Sequence, residues 1–299
     1  MLSILIPVYN QNVVDLVKSL QSQCESLDLQ FQILVFDDKS NDETRKENKS
    51  LANEFGVNYV ELAENIGRAK IRNRLGSMAQ FKNLLFLDGD SKVIRSDFIS
   101  RYLGREDSSL LTYGGREYQK EKPKDQKLVM HWKYGTKREA LDVNKRSSDP
   151  YLNFQSNNFM VKAYVFKMLQ FDEDIHGYGY EDLLYAQKVK ELGITIYHID
   201  NPVLHDGLET ADQFIAKTRN AIKNLVELNQ DGHLLNVRLT SFYNKMKGYG
   251  LLNLVLKYTE IREESISKNL LESSNPSIRK FSLFKLLEFA NCQSAKWKI

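Results

Sequence analysis

Three stretches in the first 90 residues, LSILIPVYN, FQILVFDD and LLFLDGD, are continuously apolar, and each breaks off into polar or acidic residues. Runs this short, rich in Val, Ile, Leu and Phe, are those of strands covered on both faces. Between them the spacing changes. Val13, Val14, Leu16, Val17 and Leu20 recur at helical intervals and predict a helix over 12–27. Asn41–Phe55 is polar and helix-compatible, VNYVEL (Val57–Leu62) reads as a third strand, Asn65–Gln80 as a helix and Asn83–Leu87 as a fourth strand. Strands alternating with helices at this spacing predict βαβ units and a parallel sheet, an α/β fold. In such sheets ligands bind beyond the carboxyl ends of the strands. Asn10, Asp37, Asp38, Asp88 and Asp90 all fall there.

Within LLFLDGDSKV the two acids stand two apart. In an extended chain alternate side chains share a face, so Asp88 and Asp90 are expected to project together. Two like charges side by side call for a partner, and a divalent cation is one candidate. The competing reading is a strand that ends in an ordinary solvated Asp-Gly turn. A calcium loop of the EF-hand type fits poorly, because Lys92 occupies its third ligand position.

From about Arg105 the pattern loosens. Lys120–Lys127, KEKPKDQK, reads as a charged surface loop, and the basic segment after it carries Trp132 and Tyr134. Helices are expected over Ala163–Gln170 and Glu181–Leu192, with Gly177 and Gly179 marking a loop, Gly193 a helix end and ITIYHI a strand. Beyond His205 the chain reads as mostly helical, with 14 Lys plus Arg against 10 Asp plus Glu over 206–299. With 42% hydrophobic residues, the 299-residue chain suffices for one large core or a domain with an appendage. Its net charge of +3 gives no field for nucleic acid, and no nucleic-acid-binding motif occurs. Cys24 and Cys292 form no CxxC, which suits a reducing compartment and points to neither zinc nor a disulfide framework. MLSILIPVYN lacks a basic n-region and is interrupted by Pro7, so it does not read as a signal peptide. The expected location is cytoplasmic, with attachment to a membrane surface left open.

Four blocks follow one another along the chain: SILIPVYN, VFDDKSNDET, NIGRAKIRN with LLFLDGD, and GYGYEDLLYAQKVKELG. As an ordered set they resemble the family 2 glycosyltransferases, which have the glycosyltransferase-A fold. The resemblance covers roughly residues 1–210. It implies a Rossmann-like, mostly parallel sheet flanked by helices, with a nucleotide-binding half over about 1–104 and an acceptor half over about 105–210. A C-terminal helical region, 211–299, lies outside the shared core.

The resemblance implies an inverting transfer of a sugar from a nucleotide-diphosphate donor, a UDP-sugar favoured, to a hydroxyl of a saccharide or lipid-linked saccharide. Cell-surface polysaccharide or glycoconjugate synthesis is the expected setting. The implied cofactor is Mn2+ or Mg2+, a Lewis acid that bridges diphosphate oxygens. Asp90 is the expected direct ligand, Asp88 reaches the ribose or shares the metal, and Gly89 leaves room for the donor. Pro7, Val8 and Tyr9, with Asn10 beside them, line the base pocket, and Asp38 accepts hydrogen bonds from the base unless it caps the next helix. Asn65, Gly67, Arg68 and Arg72 match the family's asparagine–glycine–basic block. Arg68 and Arg72, at i and i+4, share a helix face, either toward the diphosphate or as a solvated basic face. Asp182 is the implied general base and Glu181 an acceptor contact or support, although acids at a helix N-terminus also favour the macrodipole. His205, 23 positions after Asp182, is the implied returning metal ligand, with His198 as its rival. His131 and His176 have no comparable case. Trp132, Asn157 and Asn158 occupy the acceptor-side segment, where they cradle a sugar ring or simply pack. Thr112–Pro150 carries no family-wide motif.

Two other classes compete. A sugar-1-phosphate nucleotidyltransferase wants a glycine-rich basic loop after strand one, and YNQNVVD has no glycine. A non-catalytic carbohydrate-binding or scaffolding protein would not need every acidic position the blocks retain. The tail, Ser277–Ile299, holds five Lys or Arg and one Glu, with Phe281, Phe284, Leu287 and Phe289 among them. It is expected either to make peripheral membrane contact as a basic amphipathic helix or to pack on the protein.

Overall fold

The computed structural model describes residues 1–175, 179–233, 235 and 237–296. Gly177 and Tyr178 of the GYGYED block, His176, and the last three residues of the tail lie outside the described residues. The chain forms two compact units. One comprises Met1–Tyr118, Glu139–Ile175 and Glu181–Gly207; the other comprises Gln119–Arg138, the pair Gly179 and Tyr180, and the chain from Leu208.

The first unit is built on a seven-stranded sheet. Its strands are β1 (Leu2–Val8), β2 (Phe31–Asp37), β3 (Val57–Glu61), β4 (Asn83–Leu87), β6 (Leu111–Tyr113), β8 (Asn158–Lys162) and β9 (Ile196–His198). β5 (Ser91–Lys92), β7 (Arg116–Glu117) and β10 (Val203–His205) form a second, small sheet. The large sheet runs β3-β2-β1-β4-β8-β6-β9. β1 to β4 are mutually parallel, β8 is antiparallel to both β4 and β6, and β9 is parallel to β6. The continuous apolar runs now have a cause. Leu5, Leu34, Phe36, Leu84 and Phe86 face one core, and Ile4, Ile6, Ile33, Val35 and Leu85 face another across the sheet. Period two persists, but both phases are buried.

Helices cover both faces. α1 (Val14–Ser26) buries Leu16, Val17, Leu20 and Cys24, and α2 (Asp42–Asn48) follows β2. Asn41, not Asp38, caps α2, accepting from Thr44 N at 2.9 Å. α3 (Arg68–Met78) precedes β4, and α4 (Phe98–Leu103) follows β5. α5 (Val129–Tyr134) belongs to the second unit, and α6 (Val143–Ser147), α7 (Ala163–Met168) and α8 (Glu181–Glu191) to the first.

The second unit is otherwise helical: α9 (Ala211–Gln230), α10 (Arg238–Gly248), α11 (Leu252–Ile261), α12 (Glu263–Glu272) and α13 (Ile278–Lys296). Its core joins Met130, Phe214, Ile215, Ile266, Leu270, Phe281 and Phe284. Phe281, Phe284, Leu287 and Phe289 of the tail are therefore spent inside the unit. Phe281 stacks on Phe214 at 5.5 Å, and Phe289 and Leu287 are buried as well, so the large apolar side chains described on α13 pack within the unit. No helix among the described residues is long and apolar enough to cross a membrane.

Candidate active site

The carboxyl ends of β1 and β2 are stitched together by side chains. Asp38 N donates to Val8 O at 2.8 Å, Asn10 N to Ser40 Oγ at 2.7 Å, and Asn41 N to Asn10 Oδ1 at 2.8 Å. Asp37 accepts from Ser40 N at 2.6 Å and so braces the same turn. Asp38 reaches across to the loop before α3, where Ile66 N and Gly67 N donate to its two oxygens at 2.7 and 3.0 Å. Burial pushes its carboxyl up, and those backbone donors partly offset the effect. Gly67 sits at φ +84°, a conformation that side chains disfavour, and begins α3. On this rim Tyr9 is 55% exposed and Asn65 is exposed, while Pro7 is half-buried. Val8 is not a pocket residue. Its side chain lies in the core under α1, and its contribution to the rim is its carbonyl.

The acidic pair is not extended. β4 ends at Leu87, and Ser91 N donates to Asp88 O at 3.0 Å, closing a turn over Gly89 and Asp90. A Cβ on Gly89 would come within 3.3 Å of Pro7 O, so this glycine lets the turn close on the β1–α1 loop. The turn gives the two acids different nearest partners, Arg72 for Asp88 and His205 for Asp90. Asp88, expected at the ribose or the metal, is held by arginines: Arg72 Nη2 lies 2.5 Å from Oδ1, and Arg68 and Arg116 lie 3.8 and 4.0 Å from Oδ2. The i, i+4 spacing on α3 does place Arg68 and Arg72 together. Arg72 is buried and its guanidinium stands 5.5 Å over the Phe171 ring. Both arginines also approach Glu181 Oε1, at 3.6 and 3.9 Å. The solvated-face reading therefore does not hold for Arg72.

Asp90 faces His205. Its Oδ1 is buried and stands 3.4 Å from His205 Nδ1, with the Tyr118 ring edge-on to the imidazole at 5.1 Å. Burial alone would raise the Asp90 carboxyl; His205, Arg116 and Arg68 outweigh it and hold it well below the usual carboxylate range. A carboxylate oxygen and an imidazole nitrogen in reach of one point fit a hard divalent ion that takes its other ligands from phosphate and water. Among the described residues no group of three or more His, Cys, Asp or Glu forms a complete cage. A cleft of ≈ 740 Å³ opens beside Asp90, lined among others by Gln11, Asn12, Asp15, Gly89, Lys92 and Asp206. His198 is committed elsewhere: its ring nitrogens meet Pro150 O at 2.9 Å and Arg146 at 3.4 Å, and burial lowers it to about 4.

Arg116 escaped the sequence reading. It lies on β7, two strands from any motif, and reaches Asp88 on one side and Glu139 at 3.3 Å on the other. Tyr118 donates to the same Glu139. The paired glycines at 114 and 115 just upstream were the local sign of a tight backbone, but nothing in the sequence ties Arg116 to β10.

Glu181 and Asp182 open α8. The chain enters it through Gly179 and Tyr180, both at positive φ. Asp182 Oδ1 accepts from its neighbour Leu183 N at 2.8 Å. Burial first, then the charge of Glu181, push the Asp182 carboxyl up to about 7, against the pull of Leu183 N, Arg72 and Arg68. An acid held there mainly for the helix dipole would be lowered instead.

The acceptor-side residues divide. Asn158 is fully buried: Tyr102 donates to Oδ1 at 2.6 Å, and Nδ2 donates to Gly115 O and Asn201 O, both at 2.9 Å. It joins the frame and presents no surface to an acceptor. Asn157 is also buried, but neither its Oδ1 nor its Nδ2 has a hydrogen-bond partner within the protein. Trp132 belongs to the second unit, half-buried on α5, and donates to Gln119 O at 2.7 Å. His131, in the same unit, accepts from Glu209 N at 3.0 Å and stacks on Phe214.

Comparison with known proteins gives the family. No curated protein sequence matches the chain. Among solved structures it resembles a mannosyltransferase from Pyrobaculum calidifontis in complex with GDP-Man and Mn2+, at TM-score 0.58 and 13% identity over 97% of this chain and 86% of that one. It resembles glucosyl-3-phosphoglycerate synthase from Mycobacterium tuberculosis, in complex with Mg2+ and UDP, at TM-score 0.52 and 16% identity over 76% and 78%. It also resembles S. aureus TarS 1-349, at TM-score 0.50 and 16% identity over 99% and 91%. At these identities the likeness shows the glycosyltransferase-A fold. The family model for glycosyl transferase family 2 matches residues 3–165, more than half of the chain, and the protein is a glycosyltransferase that belongs to that family.

Proposed function

We propose that this glycosyltransferase is metal-dependent and inverting, and that it moves a sugar from a nucleoside-diphosphate donor, a UDP-sugar in the first instance, to a hydroxyl of a saccharide or lipid-linked saccharide. The observation that carries the reading is the Asp90–His205 pair at 3.4 Å, set beside Arg68 and Arg116. Asp90 and His205 would hold Mn2+ or Mg2+, which when bound supplies a Lewis acid for the diphosphate. Tyr9 offers an exposed ring on which a base can stack. Asp38 keeps acceptor positions for a base N–H, because each carboxylate oxygen has two and only one is used. Arg68 is the more exposed of the two α3 arginines and turns to the leaving diphosphate, while buried Arg72 holds Asp88 and Glu181 in place.

Asp182 takes the proton of the attacking hydroxyl. A carboxyl raised to about 7 is a far stronger base than an ordinary aspartate and is still half ionised near neutral pH. The acceptor attacks the anomeric carbon as the bond to the diphosphate breaks, so the configuration inverts and no covalent enzyme intermediate forms. Nucleotide binding is assigned to about residues 1–104 and acceptor binding to the remainder of the first 210. The proposed setting is the cytoplasmic side of the cell membrane, in polysaccharide or glycoconjugate synthesis.

A thermal-shift panel of nucleotides and nucleotide sugars, with Mn2+ or with EDTA, tests the reading. Stabilisation by a nucleoside diphosphate that depends on Mn2+ is expected, with UDP ahead of GDP. A panel in which no nucleotide shifts the melting temperature under either condition contradicts it.

A further inference from the structure

Helices α10 and α11 bury very little of themselves: Thr240 on the first, and Leu252 and Thr259 on the second. Both stand on α13, where Tyr243 meets Phe289 edge-on at 5.1 Å. Several large apolar side chains stay open on them. Phe242, Met246 and Tyr249 follow one another at i, i+4 and i+7 along α10 and its end. Leu251, Leu254, Tyr258 and Ile261 recur at i, i+3, i+7 and i+10 along α11. Such spacing gathers each set on one helix face. Tyr249, Leu254 and Ile261 are 66%, 68% and 77% exposed. Single exposed apolar residues need no explanation, but helically phased sets on two helices that contact each other do.

Charge says what covers them. Residues 238–262 carry five Lys or Arg and one Glu. The cations border the apolar band: Lys245 lies 5.9 Å from the Tyr249 ring and Arg262 4.8 Å from the Tyr258 ring. Long basic side chains beside aromatic rings, flanking aliphatic residues, are suited to an interface where tails meet anionic headgroups. A second copy of this chain would bring the same positive face and repel it. We infer that the α10–α11 hairpin is a surface that lies on an anionic lipid bilayer. This inference replaces α13 as the membrane element and does not depend on the sugar-transfer reading.

Flotation of the full chain with vesicles tests it. One set is phosphatidylcholine alone, and the other contains roughly one-third phosphatidylglycerol. The variants are Leu254→Ser with Ile261→Ser, and Lys245→Glu with Lys247→Glu and Lys257→Glu. Phe55→Ser, at an equally exposed apolar residue of the first unit, is the control. All positions are exposed, and melting curves verify that each variant folds. Wild type and control should float with anionic vesicles, less so as salt rises. The serine pair should lose at least about tenfold in partitioning, and the glutamate triple on the order of a hundredfold on anionic vesicles only. Wild-type protein that stays unbound, variants that float like wild type, or a control that fails with them would each overturn the inference. So would a dimer in sedimentation equilibrium that the serine pair dissolves while vesicle binding survives.

Discussion

Asp182→Asn separates the chemistry from the fold. The substitution keeps the shape and leaves an oxygen for Leu183 N, but it removes the base. Turnover should fall about 10²–10⁴-fold, while Mn2+-dependent binding of UDP stays within about threefold, since Asp182 is not among the groups assigned to the nucleotide or the metal. The wild-type profile follows from a carboxyl near 7: kcat/KM should rise with pH, with about a tenfold gain from pH 6 to pH 8. Stability runs the other way. Between the unfolded carboxyl's 3.8 and about 7 the folded state binds the extra proton, so the wild type loses stability as pH rises through that window and bears the full penalty above it. The shift sets an upper limit of about 4 kcal/mol, and water at the half-buried carboxyl reduces this to about 1–2 kcal/mol. The asparagine variant should therefore melt a few degrees higher at pH 8 and lose that margin toward pH 4. Nucleoside-diphosphate release on the donor selected by thermal shift, together with melting curves at both pH values, checks this. Full turnover by the variant at pH 8 refutes the base assignment, and a variant no more stable than wild type there refutes the account of the raised carboxyl.

Asp90→Ala should abolish Mn2+-dependent binding of UDP in isothermal titration, while its melting curve still shows a cooperative folded protein, at a lower temperature because a stabilised carboxylate is lost. Arg72→Met leaves buried Asp88 with two more distant arginines, and should cost about 3 kcal/mol in urea unfolding; a loss under about 1 kcal/mol would mean that Arg68 and Arg116 suffice. Asn158→Ala removes three buried hydrogen bonds and should cost about 2–4 kcal/mol, yet leave acceptor and donor KM of the folded enzyme unchanged. Gly76→Ala should destabilise by about 1–3 kcal/mol despite alanine's helix propensity, because its Cβ would stand 2.2 Å from the Phe166 ring in the core; differential scanning calorimetry reads this directly.

The parallel half of the sheet was legible because its strands are buried on both faces, so each shows as an unbroken apolar run. Asn83–Leu87 is bounded in the structure as the sequence bounds it. Beyond it, only ITIYHI, which holds β9, showed as a strand. β5, β6, β7 and β10 are two or three residues long, and each exists only through a partner distant in sequence, as when β10 pairs with β5 and β7. Such strands have no local period to read. The same limit explains the site. Arg68 and Arg72 are linked by helix spacing, and Glu181 and Asp182 by adjacency, so local rules find them. The shared face expected of Asp88 and Asp90 assumes that the strand continues, whereas the chain turns at Asp88. Arg116 needs the β7–β10 pairing, which only the fold supplies. On α13 the apolar residues are visible in the sequence, but their spacing does not say whether they meet lipid or protein.

The polar atoms left over in the first unit mark where it has hydrogen-bonding capacity that the protein itself does not use. Among the described residues, Asn157 Oδ1 and Nδ2, Arg72 Nε, Arg116 Nε and the Tyr185 hydroxyl are buried without a hydrogen-bond partner in the protein. Buried groups of this kind cost about 1–3 kcal/mol each when nothing meets them, so folds seldom keep several unless they serve a purpose. Register places Asn157 opposite Asp88: Leu87 pairs with Asn158, Phe86 with Phe159, and Asp88 N donates to Asn157 O at 3.0 Å. Opposed residues of an antiparallel pair share a face, so the unpaired amide of Asn157 and the arginine-held carboxylate of Asp88 look out on the same side of the sheet. Phe86 and Phe159, one step inward, stack at 4.8 Å and make that side dry beneath them. A dry floor under fixed donors and acceptors strengthens each hydrogen bond made above it.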